Sequence, residues 1–314
     1  MTNNKYPVRK YLLYFSVLVG FILLFVGGPD YYSNRIFKAI WDLGHIPFMF
    51  AFGVVVLGVL HQIQCISKKA LPVVYGCVII CVAFSSEYIQ GFVGRTASLA
   101  DILADILGGL IAWLFVYSYP LFFSNLGSRV LTVLAFILGI IVIIPFFTIM
   151  YDEVTARNQF PLISGFENRT ELSRWTGSSE LQRSILRSTE GMYSLEFALR
   201  AKGYSGVAIR DFPSDWQGYR FLQFDVWSPQ EDLPVSVRIH DKLHTAGAQV
   251  YSDRFNRRYH LKKGWSRISI TLDDVRSAPK NRVLNLSEVW GLGLFSYNLG
   301  VQEKLHLDRL TLIH

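Results

Sequence analysis

The chain has 314 residues, 51% of them hydrophobic and 18% charged, with a formal net charge of +7. Most of the charge falls in the second half, where acids and bases nearly balance, so no nucleic-acid partner is expected. All three cysteines, Cys65, Cys77 and Cys81, lie in the first half, which excludes a disulfide framework or a cysteine-based zinc site from the second.

Residues 1–150 have the pattern of a membrane domain, 151–162 that of a polar linker, and 163–314 that of a separate domain rich in short strands. A polar start with Lys5, Arg9 and Lys10 precedes an apolar run that reaches past Phe21 without a small-residue cleavage pattern. It is therefore expected to be a first transmembrane helix rather than a signal peptide. Residues 29–41, with Arg35, Lys38, Tyr31, Tyr32 and Trp41, suit a loop or a surface-lying segment. In all, five spans are expected, near 11–27, 43–61, 70–90, 99–121 and 129–150. Each supplies the roughly 20 apolar residues that a hydrocarbon core of about 30 Å requires. With the N-terminus in the cytoplasm, inside segments hold Lys5, Arg9, Lys10, Lys68, Lys69 and Arg129, and outside loops hold only Arg35, Lys38 and Arg95. This bias sets the orientation, and an odd number of crossings then exports everything after Met150.

The least expected residues in the apolar half are ionisable. Asp42 and His45 open the second span, Glu87 and Gln90 end the third, and Asp101 and Asp105 open the fourth. All six therefore fall at the outer ends of their helices, and spacings of three or four put each pair on one helix face. Arg95, in the connecting loop, can reach back to the carboxylates. A charge in hydrocarbon costs several kcal/mol unless paired or hydrated, which makes these groups candidates for function. Ser98 with Asp101 three residues on also fits a helix cap, and Asp42 fits an interfacial one. The small residues Ala100, Ala104, Gly108 and Ala112 recur every four positions and would let another helix approach closely.

The fragments Asp42-Leu-Gly-His45-Ile-Pro-Phe48, Glu87-Tyr-Ile-Gln90 and Gly94-Arg95-Thr-Ala-Ser98-Leu-Ala-Asp101-Ile-Leu-Ala-Asp105-Ile-Leu-Gly108 resemble the VanZ-like membrane proteins over about residues 30–120. Asp105 stands where that pattern usually has Asn. The resemblance implies a protein of the bacterial cytoplasmic membrane acting at the cell envelope, in a family named for glycopeptide resistance, and it supplies a place rather than a reaction.

After residue 162 no stretch is long and periodic enough for a substantial helix. Strands are expected at Ser194–Arg200, Gly206–Arg210, Arg220–Trp227, Pro234–His240, Gln249–Arg254, Trp265–Leu272, Gly291–Tyr297 and Lys304–Leu312, separated by turn signals such as Glu190-Gly191 and Lys263-Gly264. Many short strands in about 150 residues point to an all-β jelly roll or β-sandwich. Alternation puts Gln223, Asp225 and Trp227 on one face of their strand, and Arg238 and His240 on one face of the next. If the two strands are neighbours, that mixed face suits a sugar, whose hydroxyls need planar polar partners and whose ring stacks on an aromatic. The alternative is a solvated face of satisfied ion pairs.

The series Gly165-Phe-Glu167, Trp216-Gln-Gly-Tyr219, Arg238-Ile-His-Asp241, Tyr251-Ser-Asp253-Arg254-Phe255-Asn256, Gly264-Trp265 and Leu307-Asp308-Arg-Leu310 is similar to the galactose-binding-like jelly roll of non-catalytic carbohydrate-binding modules. That likeness implies glycan binding, and it gives Glu167 and Asp308 to a structural calcium; no other cofactor is expected.

Together these readings describe a non-catalytic, multi-pass envelope protein: a five-helix membrane all-α domain with an outer-side polar pocket for a lipid headgroup or lipid-linked saccharide, and an extracytoplasmic β-sandwich that binds the glycan. The alternative is a membrane enzyme on a lipid-linked substrate, with Glu87 or Asp105 as general base, His45 as proton shuttle and Arg95 as anion clamp. A conventional soluble enzyme is disfavoured, because no P-loop, HExxH or GxGxxG stands in a supporting context.

Overall fold

A computed structural model describes residues 7–25, 28–29, 32–63, 66–92, 98–118 and 126–314. The chain divides into two compact units, Met1–Ile149 and Met150–His314.

The first unit is helical: α1 (Pro7–Phe25), α2 (Arg35–Leu43), α3 (His45–Leu60), α4 (Leu71–Phe92), α5 (Leu99–Trp113) with a π turn over Leu114–Ser118, and the start of α6 (Leu126–Gln159). Most of the segment expected as a loop or surface piece before the second span is helix. Asn34 caps α2 by accepting the Ile36 amide at 2.7 Å. Gly44 keeps helical dihedrals (φ −61°, ψ −22°), so α2 runs into α3 almost without a break. The reason is periodicity: Ile36, Ala39 and Leu43 recur at three and four, opposite Arg35, Lys38 and Asp42, which is an amphipathic helix rather than a loop.

Among the described residues four helical stretches are long and apolar enough to cross a membrane, Arg35–Leu60, Leu71–Phe92, Leu99–Val116 and Arg129–Gln159, and Tyr11–Leu23 is a shorter apolar helix. The parts of the expected spans at 26–27 and 119–121 lie outside the described residues, as does Cys65.

α3, α4 and α5 pack through glycines. A Cβ on Gly108 would lie 2.5 Å from the Ile46 carbonyl and 2.8 Å from Met49 Cβ, and one on Gly109 would lie 2.6 Å from Ile79. Of the four-residue stripe, Ala104 and Ala112 are buried beside them, whereas Ala100 is exposed. Backbone contact leaves nothing able to yield, so Gly108→Leu should cost at least about 1–3 kcal/mol and shift the detergent-solubilised protein into aggregate on size-exclusion chromatography. An unchanged monodisperse peak would count against this packing.

Within the expected polar linker over 151–162 the chain is helical, since α6 continues through Gln159. No glycine or proline interrupts residues 146–160, Glu153 and Arg157 pair at 3.1 Å one turn apart, and only Pro161 ends the run.

The second unit is a β-sandwich. Its strands are β1 (Leu162–Ser164), β2 (Trp175–Gly177), β3 (Gln182–Ser184), β4 (Ser194–Leu199), β5 (Tyr204–Ile209), β6 (Phe221–Ser228), β7 (Leu233–Asp241), β8 (Phe255–Leu261), β9 (Gly264–Thr271), β10 (Val289–Tyr297) and β11 (Glu303–Ile313), with short helices α7 (Lys242–Ala246) and α8 (Leu272–Ser277). One sheet runs β3-β4-β11-β6-β9, with β1 also on β11, and the other β2-β5-β10-β7-β8. Inward side chains from both, among them Leu222, Phe224 and Val226 of β6 and Val235, Val237 and Ile239 of β7, form one core with Trp216 and Phe166. The strand expected at Gln249–Arg254 is displaced: Tyr251–Asp253 is a single 3-10 turn, and the strand follows it, where Phe255 and Leu261 point inward.

A buried polar knot ties the entry of this unit together. Glu171 Oε2 accepts Ser164 Oγ and the amides of Gly165 and Phe166 at 2.8–3.1 Å, and its Oε1 accepts the Asn168 amide at 3.1 Å. Arg174, with no side-chain exposure, lies 3.3 Å from Asp152 on α6 and 3.6 Å from Glu171, and donates to the Ile163 carbonyl at 2.9 Å.

Candidate functional site

Two places bring polar groups together. In the helical unit, α3, α4 and α5 converge on His45 (2% exposed), Glu87 (2%), Gln90 (2%), Asp101 (8%) and Asp105 (0%). His45 Nδ1 stands 3.0 Å from Asp105 Oδ1, and His45 Nε2 stands 3.9 Å from Asp101 Oδ2. With Asp105 accepting from Nδ1–H, the imidazole turns its other nitrogen towards Asp101. Ser86, one helical step from Glu87 and absent from the sequence-based candidates, donates to Asp105 Oδ2 at 3.4 Å as well as to the Ala83 carbonyl at 2.9 Å. Glu87 Oε2 accepts the Ser98 amide at 2.7 Å, so it is Glu87, not the Ser98 hydroxyl, that serves the start of α5. One ligand atom each from His45, Glu87 and Asp101 lies within 4.8 Å of the others, a spacing that could hold a cation. Asp42 is exposed at the α2–α3 junction, where it lines a cleft of about 330 Å³ with Asp101, Leu103 and Pro145. Arg95 lies outside the described residues.

In the sandwich, the expected single face of Gln223, Asp225, Trp227, Arg238 and His240 does not exist. β6 pairs with β11 and β9, and β7 pairs with β10 and β8, so the first three residues lie on the outer face of one sheet and the last two on the outer face of the other. The connection between β6 and β7 crosses from sheet to sheet, which alternation along a strand does not reveal.

The outer face holding β6 is closed by its own partners. Arg267 binds Asp225 through two nitrogens at 2.8 and 3.2 Å, with Arg309 at 3.5 Å. Lys304 and Gln182 donate to Glu196 at 2.8 and 2.7 Å. Arg187 lies 3.6 Å over the Trp227 ring, and His306 meets its edge. A sugar would have to displace these contacts, so Trp227 offers no free face for stacking.

The other outer face carries a groove of about 490 Å³. Strand registers place Thr176, Ala208, Gly293, Arg238 and Asn256 in one row across β2, β5, β10, β7 and β8. The middle of the row is low because Ala208 and Gly293 have almost no side chain, and Gly206 opposite Phe295 extends the trough. A Cβ on Gly206 would lie 2.2 Å from the Leu294 carbonyl, whereas one on Gly293 would make only ordinary contacts, the nearest 3.5 Å away. Tyr204 and Phe295 stand along one side with ring centroids 6.0 Å apart. Arg238, Tyr251 and Arg254 stand on the other, the last two carried by the turn before β8. That turn is held from behind: Asp253 accepts from Arg282, and its carboxylate lies 3.2 Å from His244, while Arg282 also grips the buried Asp241.

Burial and the neighbouring Arg254 and Arg210 guanidiniums lower the pKa of Arg238. His240, further along β7, is pushed down to about 3 by burial and then by Arg238. His240 is therefore neutral when folded and protonated near 6.5 when unfolded, so its contribution to stability is present above about pH 6.5 and fades as the pH falls towards 3. Thermal unfolding of the sandwich should show that decline on the acid side, and His240→Gln should flatten part of it. Tyr204, Tyr251, Arg254 and Phe295 were not among the sequence candidates; glycines inside strands, at 206 and 293, were the available signal for a close approach to a ligand.

Glu167 and Asp308 both bind the turn over 189–193. Glu167 Oε1 accepts the amides of Met192 and Tyr193, and Asp308 accepts the amides of Thr189, Glu190 and Arg309 and the Thr189 hydroxyl. Calcium asks for six or more oxygens; as placed, these two carboxylates anchor the turn through its amides.

No protein-family model matches the chain, and no curated protein matches it. Among solved structures, its C-terminal region is similar to a family 11 carbohydrate-binding module from Clostridium thermocellum solved with a β-1,3-1,4-mixed-linked tetrasaccharide, at 17% identity over 48% of this chain and 94% of that one, with a TM-score of 0.37. It is also similar to a family 30 carbohydrate-binding module of a cellulosomal cellulase from Clostridium thermocellum, at 13% identity over 44% of this chain and 90% of that one, with a TM-score of 0.34.

Proposed function

We propose that this is an integral membrane protein of the bacterial envelope, with its N-terminus in the cytoplasm, whose extracytoplasmic sandwich binds a glycan in the groove on the β2-β5-β10-β7-β8 sheet. The observation that carries the reading is the trough itself: a floor of Gly206, Ala208 and Gly293, with Tyr204, Phe295 and Tyr251 as apolar faces and arginine and hydroxyl groups as polar partners. Sugar rings present an apolar C–H face and a rim of hydroxyls, and such a trough offers both stacking surface and hydrogen bonds. The membrane part is supported by α6, whose apolar window is only 6% buried within the protein, leaving most of its isoleucines and phenylalanines exposed. Gly293→Leu fills the trough without crowding the backbone. In a titration of the detergent-purified full chain against immobilised envelope glycans, it should lower affinity at least about tenfold while Trp227→Ala does not. Equal binding by Gly293→Leu and the parent would end the proposal.

A second reading is favoured by one observation, the His45–Asp105 contact of 3.0 Å with Asp101 and Glu87 beside it. In this VanZ-like reading the buried cluster engages a lipid headgroup or lipid-linked saccharide, or moves a proton on it. Glu87→Gln separates the two roles: it should abolish activity in complemented cells if Glu87 is a base, and only weaken it if Glu87 accepts hydrogen bonds.

A further inference from the structure

The two outer faces of the sandwich treat charge in opposite ways. On the β6 face the acidic and basic side chains answer each other: Asp225 with Arg267 and Arg309, Glu196 with Lys304. In the groove of the other sheet the lining contains Arg238 and Arg254 and no aspartate or glutamate. The Nε atoms of Arg238 and Arg254 are buried with no hydrogen-bond partner among the described residues. Their guanidiniums instead rest against aromatic rings, Arg238 at 6.0 Å from Phe295 and Arg254 at 5.7 Å from Tyr251. The carboxylates nearest in the chain are engaged elsewhere: Asp241 and Asp253 both bind Arg282. The missing side chain at Gly293 matters here, because Arg238 Nη2 lies 3.7 Å from where its Cβ would stand, which opens the guanidinium to the trough.

Partly buried guanidiniums left without an acid are costly by themselves and become favourable when a ligand supplies the anion. Resting on the glycan reading above, we infer that this groove selects an anionic saccharide, whose acid group is received by Arg238 and Arg254 while its ring lies over Gly293 and Ala208 against Tyr204 and Phe295. Planar guanidiniums bind carboxylate, phosphate and sulfate oxygens in pairs, so the acid could be that of a uronate, a sugar phosphate or a sulfated sugar. The electrostatics agree: burial first, and then repulsion from Arg254 and Arg210, hold Arg238 below its ordinary value, and an anion between Arg238 and Arg254 relieves that repulsion.

The test is a titration of the detergent-purified full chain against three acidic probes, oligogalacturonate, a mannose-phosphate oligomer and a sulfated galactan, and against neutral β-glucan and galactan oligomers of matched length. At least one acidic class should bind about tenfold or more tighter than the neutral probes, and which class does so identifies the acid. Arg238→Met and, separately, Arg254→Met should cut that acidic-to-neutral ratio about tenfold, with the melting temperature of each variant as the folding control. Because Arg254 lies at the groove rim, its variant keeps the test informative even if Arg238→Met fails to fold. Neutral oligomers bound as tightly as acidic ones would overturn the inference and leave the glycan reading standing. So would an acidic preference that both methionine variants retain, since it would then arise from charge elsewhere on the chain. Binding of no saccharide of either class would overturn both.

Discussion

Replacing Arg174 by methionine is expected to lower the melting temperature of the sandwich by about 10–15 °C. The side chain has no exposure and stands between two carboxylates, Asp152 and Glu171, that are each 1% exposed. Removing one member of a buried charge group leaves the others uncompensated, which typically costs about 3–5 kcal/mol, and a unit of this size loses about 2–4 °C per kcal/mol. Glu171 is a particular liability, because it accepts the amides of Gly165 and Phe166, the point where the chain leaves β1. Without Arg174 those bonds must carry an unbalanced charge. Arg174→Lys restores the charge but not the bond to the Ile163 carbonyl, so it should recover part of the loss. Circular dichroism at the strand minimum, followed on the full chain in detergent, measures both. A shift below about 3 °C for Arg174→Met would show that the knot is not what stabilises the entry to the fold.

The other large effect is expected at His45. His45→Leu removes the group that meets Asp105 at 3.0 Å and leaves a carboxylate of 0% exposure with Ser86 at 3.4 Å. The helical unit should lose about 3–5 kcal/mol, enough to halve the yield of monodisperse protein after mild heating in detergent. Asp105→Asn is the informative companion. Its amide oxygen can still accept from the imidazole and its nitrogen can face the Ser86 hydroxyl, so it should cost less than about 1 kcal/mol. If Asp105→Asn proves as damaging as His45→Leu, charge and not the hydrogen bond holds the contact; if both are mild, the carboxylate does not depend on His45.

What could be read from residues alone divides along a physical line. An ionisable residue in an apolar run is conspicuous because it is costly, and for that reason His45, Glu87, Asp101 and Asp105 were visible, and the structure brings them together. Asp42 is equally conspicuous but sits exposed at a helix junction, and hydropathy along the chain does not tell an exposed carboxylate from a buried one. Ser86 escaped notice since a hydroxyl can satisfy itself on its own helix, as it does on the Ala83 carbonyl.

In the sandwich, alternation correctly separated inward from outward residues on β6 and β7. It could not say which strands are neighbours, and that is a matter of long-range pairing; the proposed face therefore mixed residues from opposite sides of the domain. The three-residue strands β1, β2 and β3 are too short to show a period at all, and they were missed. Helix continuation past Met150 was hidden by the change from apolar to polar residues, although nothing in 151–159 breaks a helix.

The trough on the second sheet has one floor position that cannot vary and one that can. Gly206 is locked, since any side chain would run into the neighbouring strand, but position 293 has open room above it. Depth at that point is therefore a dial that one codon can turn: alanine, serine or valine would each raise the bed by a step while the core beneath stays untouched. If the trough holds the proposed glycan, position 293 is where its depth can drift or be engineered with little crowding of the fold.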